Sequence, residues 1–223
     1  MGGIEGQADT NSLEAFQLNY AKGCRSFEVD LWITTDHKLV GFHGPAGSDP
    51  DSLKISHAGF MSQKVLGRYT PLDSDAIARL MEEKRDWKLV TDTKGTLPSS
   101  LTILCASLEK RNVPCRDRVI PQIYGSSEDR DAVEALGFRE VIFTIYRTHL
   151  DDPDIARLAR SDRRIVAVTM PPARATPWLV GELSASGVRC YVHTVNDSEA
   201  IRKVFERRIW GVYTDWGCGA AAP

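Results

Sequence analysis

Three features common in other protein classes are missing from this sequence: a C-x-x-C cysteine pair, a long apolar run and an excess of basic charge. No apolar run approaches the ~20 residues that a membrane helix needs, and the start MGGIEGQADT lacks the charged-then-apolar pattern of a signal peptide. The cysteines are scattered, which fits neither a disulfide framework nor a zinc site. They are Cys24, Cys105, Cys115, Cys190 and Cys218. We therefore expect reduced cysteines and a cytoplasmic protein with no integral membrane segment, while a secretion signal upstream of Met1 stays open.

Acidic and basic residues nearly balance. The chain has 28 Lys and Arg against 30 Asp and Glu, a formal net charge of -2, so no overall basic field favours nucleic acid as a partner. Hydrophobic residues make up 42% and charged residues 26% of the sequence, which is the composition of a chain that buries a sizeable core. Because α/β barrels often reach this length as one unit, we expect residues 1–223 to form a single domain.

Short apolar runs alternate with amphipathic stretches along the whole chain, a pattern typical of repeated βα units around a parallel sheet. The strand candidates are 25–34, 87–92, 118–124, 140–146, 164–170, 188–195 and 209–214. The helix candidates are 12–22, 73–85, 99–111, 128–136, 153–161, 177–186 and 197–207. Several of these helices begin at Ser, Asp or Thr, which cap helix N-termini.

This alternation predicts an α/β fold, a TIM-type (β/α)8 barrel whose first strand is missing or truncated. A glycine-rich segment and a helix open the chain, so the strand expected before that helix is not in the sequence. One more strand would complete the eight that close such a barrel, whose active site lies at the carboxyl ends of the strands. Residues 44–72 exceed an ordinary βα loop, and we expect them to be an insertion at the active-site face.

Two neighbouring strand candidates carry carboxylates. In RSFEVDLWIT, Glu28 and Asp30 share one face because successive strand side chains alternate, and the apolar residues between them take the other face. In TDTKG, Asp92 and Lys94 share a face at the end of the next strand. Three oxygen ligands with open positions suit a hard cation, Mg²⁺ or Ca²⁺. Lys94 would then balance negative charge or contact a phosphate oxygen.

Other interpretations of these residues stay open. Glu28 and Asp30 could pair with basic groups inside the barrel and bind nothing, because buried ion-pair networks also occur. His43, which follows the run KLVGF, is either a site residue or a hydrogen-bonded core histidine. The remaining histidines are weaker candidates, and His37 in the TTDHK turn is expected to be solvated.

In their order and spacing these motifs resemble the glycerophosphodiester phosphodiesterase family, within the phosphatidylinositol phospholipase C-like phosphodiesterase superfamily. TNSLEAFQLNYAKGCRSFEVDLWITTDHKLVGFHG is similar to the opening of that family: an Asn-rich helix start, an E-x-D strand, a T-x-D-x-x-L-V hairpin and a histidine. RYTPLDSDAIARLM, YVHTVND and GVYTD are similar to later segments of the family. The resemblance covers nearly the whole chain.

The resemblance implies a set of roles. Glu28, Asp30 and Asp92 would hold a divalent metal, Mg²⁺ or Ca²⁺, His43 would be one of two catalytic histidines, and Lys94 would lie beside the phosphate. The substrate would be a small phosphodiester or a phospholipid headgroup, which places the protein in lipid metabolism.

Three further residues are expected to bind substrate by the same resemblance, Asn11, His193 and Asn196. His193 departs from the family, which often has Trp there, so the pocket wall is expected to differ. Asp92 also departs, since the family usually has Glu as third ligand, and Asp brings the chain closer to the related sphingomyelinase D enzymes.

The N-terminus is the largest departure. In the family a first catalytic histidine closes strand one, just before the glycine-rich turn that begins this chain at Met1. We expect a product that starts at Met1 to be marginally soluble and nearly inactive, and to gain stability and activity when extended upstream by one strand ending in His.

The leading functional hypothesis is metal-dependent hydrolysis of a phosphodiester, with His43 protonating the leaving alkoxide. One alternative is a catalytically inactive relative that binds phosphoesters or a protein partner, and another is a sphingomyelinase D-like phospholipase. A third is a TIM-barrel enzyme of unrelated chemistry with Lys94 as a Schiff-base lysine, although the neighbouring carboxylates would keep that amine charged.

Overall fold

The computed structural model describes residues 2–44 and 53–216. The first of two compact units contains the described residues up to Ile120 together with Trp216, and the second runs from Pro121 to Asp215. Met1, Cys218 and residues 45–52 of the expected insertion lie outside the described residues. The single domain expected from chain length stays a prediction.

Three strands of the first unit lie side by side. Its elements in chain order are α1 (Leu13–Ala21), β1 (Ser26–Ile33), β2 (Leu39–Gly41), α2 (His57–Met61), α3 (Ser74–Glu83), β3 (Lys88–Thr93), α4 (Leu97–Glu109) and α5 (Cys115–Arg118). β1 lies in the middle, parallel to β3 on one side and antiparallel to β2 on the other. In residues 2–12 no strand precedes α1, and Ile4 and Gln7 form only an isolated bridge.

The second unit is a βα array. Its elements are β4 (Val119–Ile123, of which Pro121 onward belongs to this unit), α6 (Ser127–Ala135), β5 (Val141–Thr144), α7 (Asp152–Ser161), β6 (Ile165–Met170), a 3₁₀ turn (Pro172–Arg174), α8 (Pro177–Ala185), β7 (Arg189–Val192), α9 (Ser198–Glu206) and β8 (Gly211–Val212). The five strands are parallel and pair in chain order. In both units every strand and helix that the sequence predicts is present, with bounds shifted by a few residues.

The apolar face of β1 packs beneath α1. Phe27 and Phe16 have ring centroids 4.6 Å apart, and Trp87 lies 4.8 Å from Phe16. Val29 and Leu31, on the same face as Phe27, have no exposed surface. This packing fixes which way β1 faces, because the apolar residues turn to the helix and leave the alternate face for Glu28 and Asp30.

Side-chain caps begin most of the helices. The cap oxygen accepts a hydrogen bond from the backbone N–H three residues on, which satisfies a donor that has no partner within the helix. The capping residues are Ser12, Ser56, Asp73, Ser126, Asp151, Thr176 and Asp197. Within the described ranges no helix combines the length and the hydropathy that crossing a bilayer requires.

The cysteines correct one expectation. Cys105 in α4 and Cys115 in α5 form a disulfide across a sequence separation of 10. The prediction of reduced cysteines is wrong for this pair and for Cys24, which is also disulfide-bonded. The sequence did not reveal the Cys105–Cys115 disulfide, because the spacing of the two cysteines matches no recognisable motif. The turn between α4 and α5 brings them together. Disulfides are rare in cytosolic proteins, and the cytoplasmic setting that rested on cysteine usage loses that support.

We expect the Cys105–Cys115 bond to stabilise the first unit. Replacing both residues with alanine should cost about 3 kcal/mol, because the crosslink restricts the unfolded chain. In a protein of this length that loss corresponds to a fall of about 6–12 °C in melting temperature. Scanning calorimetry of the variant and of the wild type, both under non-reducing conditions, measures it. Free thiols at both positions in a non-reducing peptide map would contradict the pairing.

Cys190 offers a second test of the packing. It lies in β7 with 3% of its surface exposed, and burial raises the pKa of its thiol to about 11. Since the thiolate is the reactive form, iodoacetamide at pH 8 should modify Cys190 far more slowly in the folded protein than in guanidinium. Peptide mass spectrometry isolates this residue from the other cysteines, and equal rates in both states would show that β7 is not packed as described.

Candidate active site

The register of β1 and β3 sets two carboxylates side by side. Asp30 and Asp92 are direct Cα partners in the parallel pair, and both residues are buried, with 5% and 7% of their surfaces exposed. Two carboxylates on neighbouring strands at the same level repel each other unless a cation lies between them. The pairing of β1 with β3 therefore requires a positive charge beside Asp30 and Asp92.

Glu28 joins the pair from two residues earlier on β1. One oxygen each of Glu28, Asp30 and Asp92 can be chosen so that all lie within 4.8 Å of one another. Oxygen ligands bound at roughly 2.0–2.6 Å to one Mg²⁺ or Ca²⁺ are separated by no more than about 4–5 Å. The all-oxygen donor set and its spacing thus fit a hard divalent cation.

Lys94 lies between the two aspartates. Its Nζ is 2.7 Å from Asp30 Oδ1 and 2.7 Å from Asp92 Oδ2, and its side chain is 13% exposed. The backbone N–H of Lys94 donates to the carbonyl of Leu31, which fixes the residue beside β1 just past the end of β3. The ammonium supplies part of the positive charge that the aspartates require.

His43 reaches the same carboxylate from the end of the β1–β2 hairpin. The backbone N–H of Phe42 donates to the carbonyl of Asp30, and this bond brings His43 Nδ1 to 3.0 Å from Asp30 Oδ2. An ionised carboxylate can only accept, so Nδ1 carries the hydrogen of that bond. Nε2 is then the nitrogen that can exchange a proton with a ligand, and with 48% of its side chain exposed His43 is open to one.

Asn11 supports Asp30 from the segment before α1. Its Nδ2 donates to Asp30 Oδ2 at 3.0 Å, and the residue is only 1% exposed. The sequence predicts Asn11 as a substrate-binding residue, and that role stays a prediction beside its hydrogen bond to Asp30. Asn11 has φ of 45°, a left-handed backbone that Asn adopts more readily than most residues.

The pKa values of the two carboxyl groups of β1 are shifted in opposite directions. Burial raises the pKa of Glu28 well above its usual value, and the charge of Asp30 raises it further. Burial alone would also raise the pKa of Asp30, but the hydrogen bond from His43 and the Lys94 ammonium hold it far below its usual range. At neutral pH Asp30 is therefore ionised, while Glu28 is the carboxyl that retains a proton most readily.

Asp30 raises the pKa of both basic side chains of the site. Burial would lower the pKa of Lys94, yet the charges of Asp30 and Asp92 raise it well above its usual value. The hydrogen bond to Asp30 raises the pKa of His43, against a smaller opposing effect of burial. Lys94 is thus a fixed positive charge in this site.

His193 and Asn196 belong to the second unit. The His193 ring lies edge-on to Tyr146, with centroids 5.5 Å apart, and near Tyr213. The Asn196 amide is engaged locally: Nδ2 donates to Asp215 Oδ2 at 2.8 Å, and Oδ1 accepts from the Asp215 backbone N–H at 2.8 Å. These bonds fasten the start of α9 to the segment after β8, and a role in substrate binding stays a prediction for both residues.

Asp9 is a site neighbour that the sequence does not reveal. Its Oδ2 lies 3.9 Å from His43 Nε2, close enough for electrostatic attraction but too long for a hydrogen bond. Asp9 stands in a glycine-rich segment with no periodic pattern, and its φ is 53°. No motif at this position distinguishes it from an ordinary loop aspartate.

Comparisons with known proteins give structural neighbours only. Neither a protein-family model nor a curated protein matches this chain. Among solved structures, a candidate glycerophosphodiester phosphodiesterase from Galdieria sulphuraria superimposes with a TM-score of 0.80 at 20% identity, covering 96% of this chain and 91% of that one. A glycerophosphodiester phosphodiesterase from Parabacteroides distasonis gives a TM-score of 0.75 at 13% identity, with 96% and 89% covered.

A third neighbour contains a ligand. This phosphodiesterase from Oleispira antarctica, in complex with the product sn-glycerol-3-phosphate, gives a TM-score of 0.73 at 15% identity and covers 95% of this chain and 90% of that one. Identities this low establish the fold rather than the activity. The chain therefore has the α/β, TIM-type fold of solved glycerophosphodiester phosphodiesterases, as its sequence predicts.

Proposed function

We propose that this protein hydrolyses glycerophosphodiesters with the help of a divalent cation bound by Glu28, Asp30 and Asp92. The observation that carries the proposal is the convergence of these three carboxylates within 4.8 Å, with a histidine and a lysine on the same aspartate. The bound cation would stabilise the charge that develops on the phosphate oxygens in the transition state. The sn-glycerol-3-phosphate in the Oleispira antarctica structure supports a glycerophosphodiester as substrate.

His43 is assigned as the general acid. Its Nδ1–H is held by Asp30, which orients the ring and stabilises the protonated form. The exposed Nε2 can then donate a proton to the departing alcohol oxygen as the phosphorus–oxygen bond breaks. The geometry resembles other sites in which a carboxylate fixes the tautomer of a catalytic imidazole.

Lys94 is assigned to the phosphate side of the site. Its ammonium lies at the carboxyl end of β3 beside both aspartates, where it can donate to a non-bridging oxygen of the substrate. A permanently charged amine does not form a Schiff base, so the charge on Lys94 argues against the aldolase-type alternative. A binding protein without activity is also disfavoured, because it would not need a histidine that is oriented by Asp30 and still half exposed to a ligand.

Asp92→Asn should abolish cation binding and hydrolysis. The change keeps the shape of the side chain and removes one of the charged ligands, so cation affinity should fall at least about 100-fold, more than the loss of an outer partner costs. Titration calorimetry with Mg²⁺ and Ca²⁺ measures affinity, and release of alcohol from glycerophosphocholine measures turnover. Asp131→Asn, an exposed aspartate on α6, is the matched control and should change neither. Full turnover by Asp92→Asn would refute the metal site.

His43→Gln should slow the reaction about 10²–10⁴-fold on a substrate with an alkyl alcohol leaving group, as expected for the loss of a general acid. The defect should shrink strongly with a nitrophenyl phosphodiester, because nitrophenolate leaves without protonation. His37→Gln, in the exposed turn of the hairpin, is the control and should leave both rates unchanged. An equal defect on the two substrates would rule out His43 as the acid.

A further inference from the structure

Lys94 occupies the oxygens that a cation would need. Asp30 Oδ2 already accepts hydrogen bonds from Asn11 Nδ2 and His43 Nδ1, each at 3.0 Å. Two bonds use both lone pairs of that oxygen in the carboxylate plane. Oδ1 is left as the ligand atom of Asp30, and Lys94 Nζ lies on it at 2.7 Å.

The same conflict exists at Asp92. Lys94 Nζ lies 2.7 Å from Asp92 Oδ2, so one ammonium spans the two neighbouring aspartates. An ammonium within hydrogen-bonding distance of both oxygens fills much of the volume in which a cation would bind them. Cation and ammonium cannot both occupy that position.

We propose that Lys94 is a tethered counter-ion which closes the cation site and which cation binding displaces toward the substrate. The proposal rests on the proposed function, since it concerns the same site. The ammonium holds Asp30 and Asp92 together while the cation is absent. When the cation takes their oxygens, the ammonium is released for a phosphate oxygen.

The fixed backbone and flexible side chain of Lys94 permit this exchange. The Lys94 backbone is fixed by its hydrogen bond to Leu31, so only the side chain has to move. A lysine side chain is a flexible four-carbon stem that carries a point charge, and small rotations about its bonds shift Nζ by several ångströms. The three carboxylates balance a divalent cation and one ammonium together, so the lysine can remain nearby after it leaves the aspartates.

Removing the lysine should therefore strengthen cation binding. In Lys94→Met the aspartates keep their charge and lose their competitor. We expect about 10- to 100-fold tighter Mg²⁺ or Ca²⁺ binding by titration calorimetry, a gain as large as the loss caused by mutating a supporting group just outside a metal's ligands. Lys88→Met is the matched control at the opposite end of β3 and should bind the cation as the wild type does. Weaker or unchanged binding in Lys94→Met would overturn the proposal.

A second measurement uses the wild-type protein alone, in case Lys94→Met does not fold. An amine-reactive acetyl ester should modify Lys94 slowly without added cation, because the amine is nearly enclosed and held by two carboxylates. Saturating Mg²⁺ or Ca²⁺ should raise the rate at Lys94 several-fold and leave Lys88 unchanged, as read by peptide mass spectrometry. A rate at Lys94 that falls or stays constant would contradict displacement.

The two proposals fail in different ways. If the wild type binds a cation and Lys94→Met binds it no more tightly, the counter-ion role is wrong and the metal site stands. If neither protein binds a cation, both proposals are wrong. If only Lys94→Met binds one, the lysine is a stronger competitor than expected and the counter-ion role is supported.

Discussion

The in-register pairing of Asp30 with Asp92 is the constraint on which the site depends. Neighbouring strands are about 4.8 Å apart, so two buried carboxylates at one level must be compensated by positive charge or by donors. Lys94, His43 and Asn11 all reach Asp30 and provide that compensation. Each of these residues has a local structural reason to be present, and together they form an arrangement suited to phosphate chemistry.

The charged face can exist because the opposite face of β1 is so well packed. Phe27 meets Phe16 and Trp87 under α1, and burial of aromatic and aliphatic side chains provides the free energy that offsets the crowded carboxylates. One face of β1 is therefore held rigidly against α1, while the other face presents the charged residues of the site. The aromatic packing also orients α1, and the Asn11 amide that supports Asp30 lies just ahead of that helix.

Much of this arrangement could be predicted from the sequence. Two-residue periodicity places Glu28 and Asp30 on one face, and the T-D-T-K-G segment brings Asp92 and Lys94 beside them, because adjacent parallel strands end at the same edge. Hydrophobic period also locates the strands and the longer helices. What it could not supply were contacts set by irregular backbone: Asp9 beside His43, Asn11 behind Asp30, and Cys105 bonded to Cys115. Such contacts depend on turns whose geometry leaves no periodic signal.

The alternation of apolar and acidic residues along β1 also favours its correct register with β3 during folding. If β1 slipped by one residue against β3, Glu28 and Asp30 would turn toward Phe16 and Trp87. Phe27 would then lie on the face of the sheet that carries the polar residues of the site. Such a mispaired sheet would bury unpaired charge in an aromatic core and leave Lys94 without its aspartates. The acidic residues therefore disfavour wrong registers of β1 against β3, and this effect does not depend on a bound ligand.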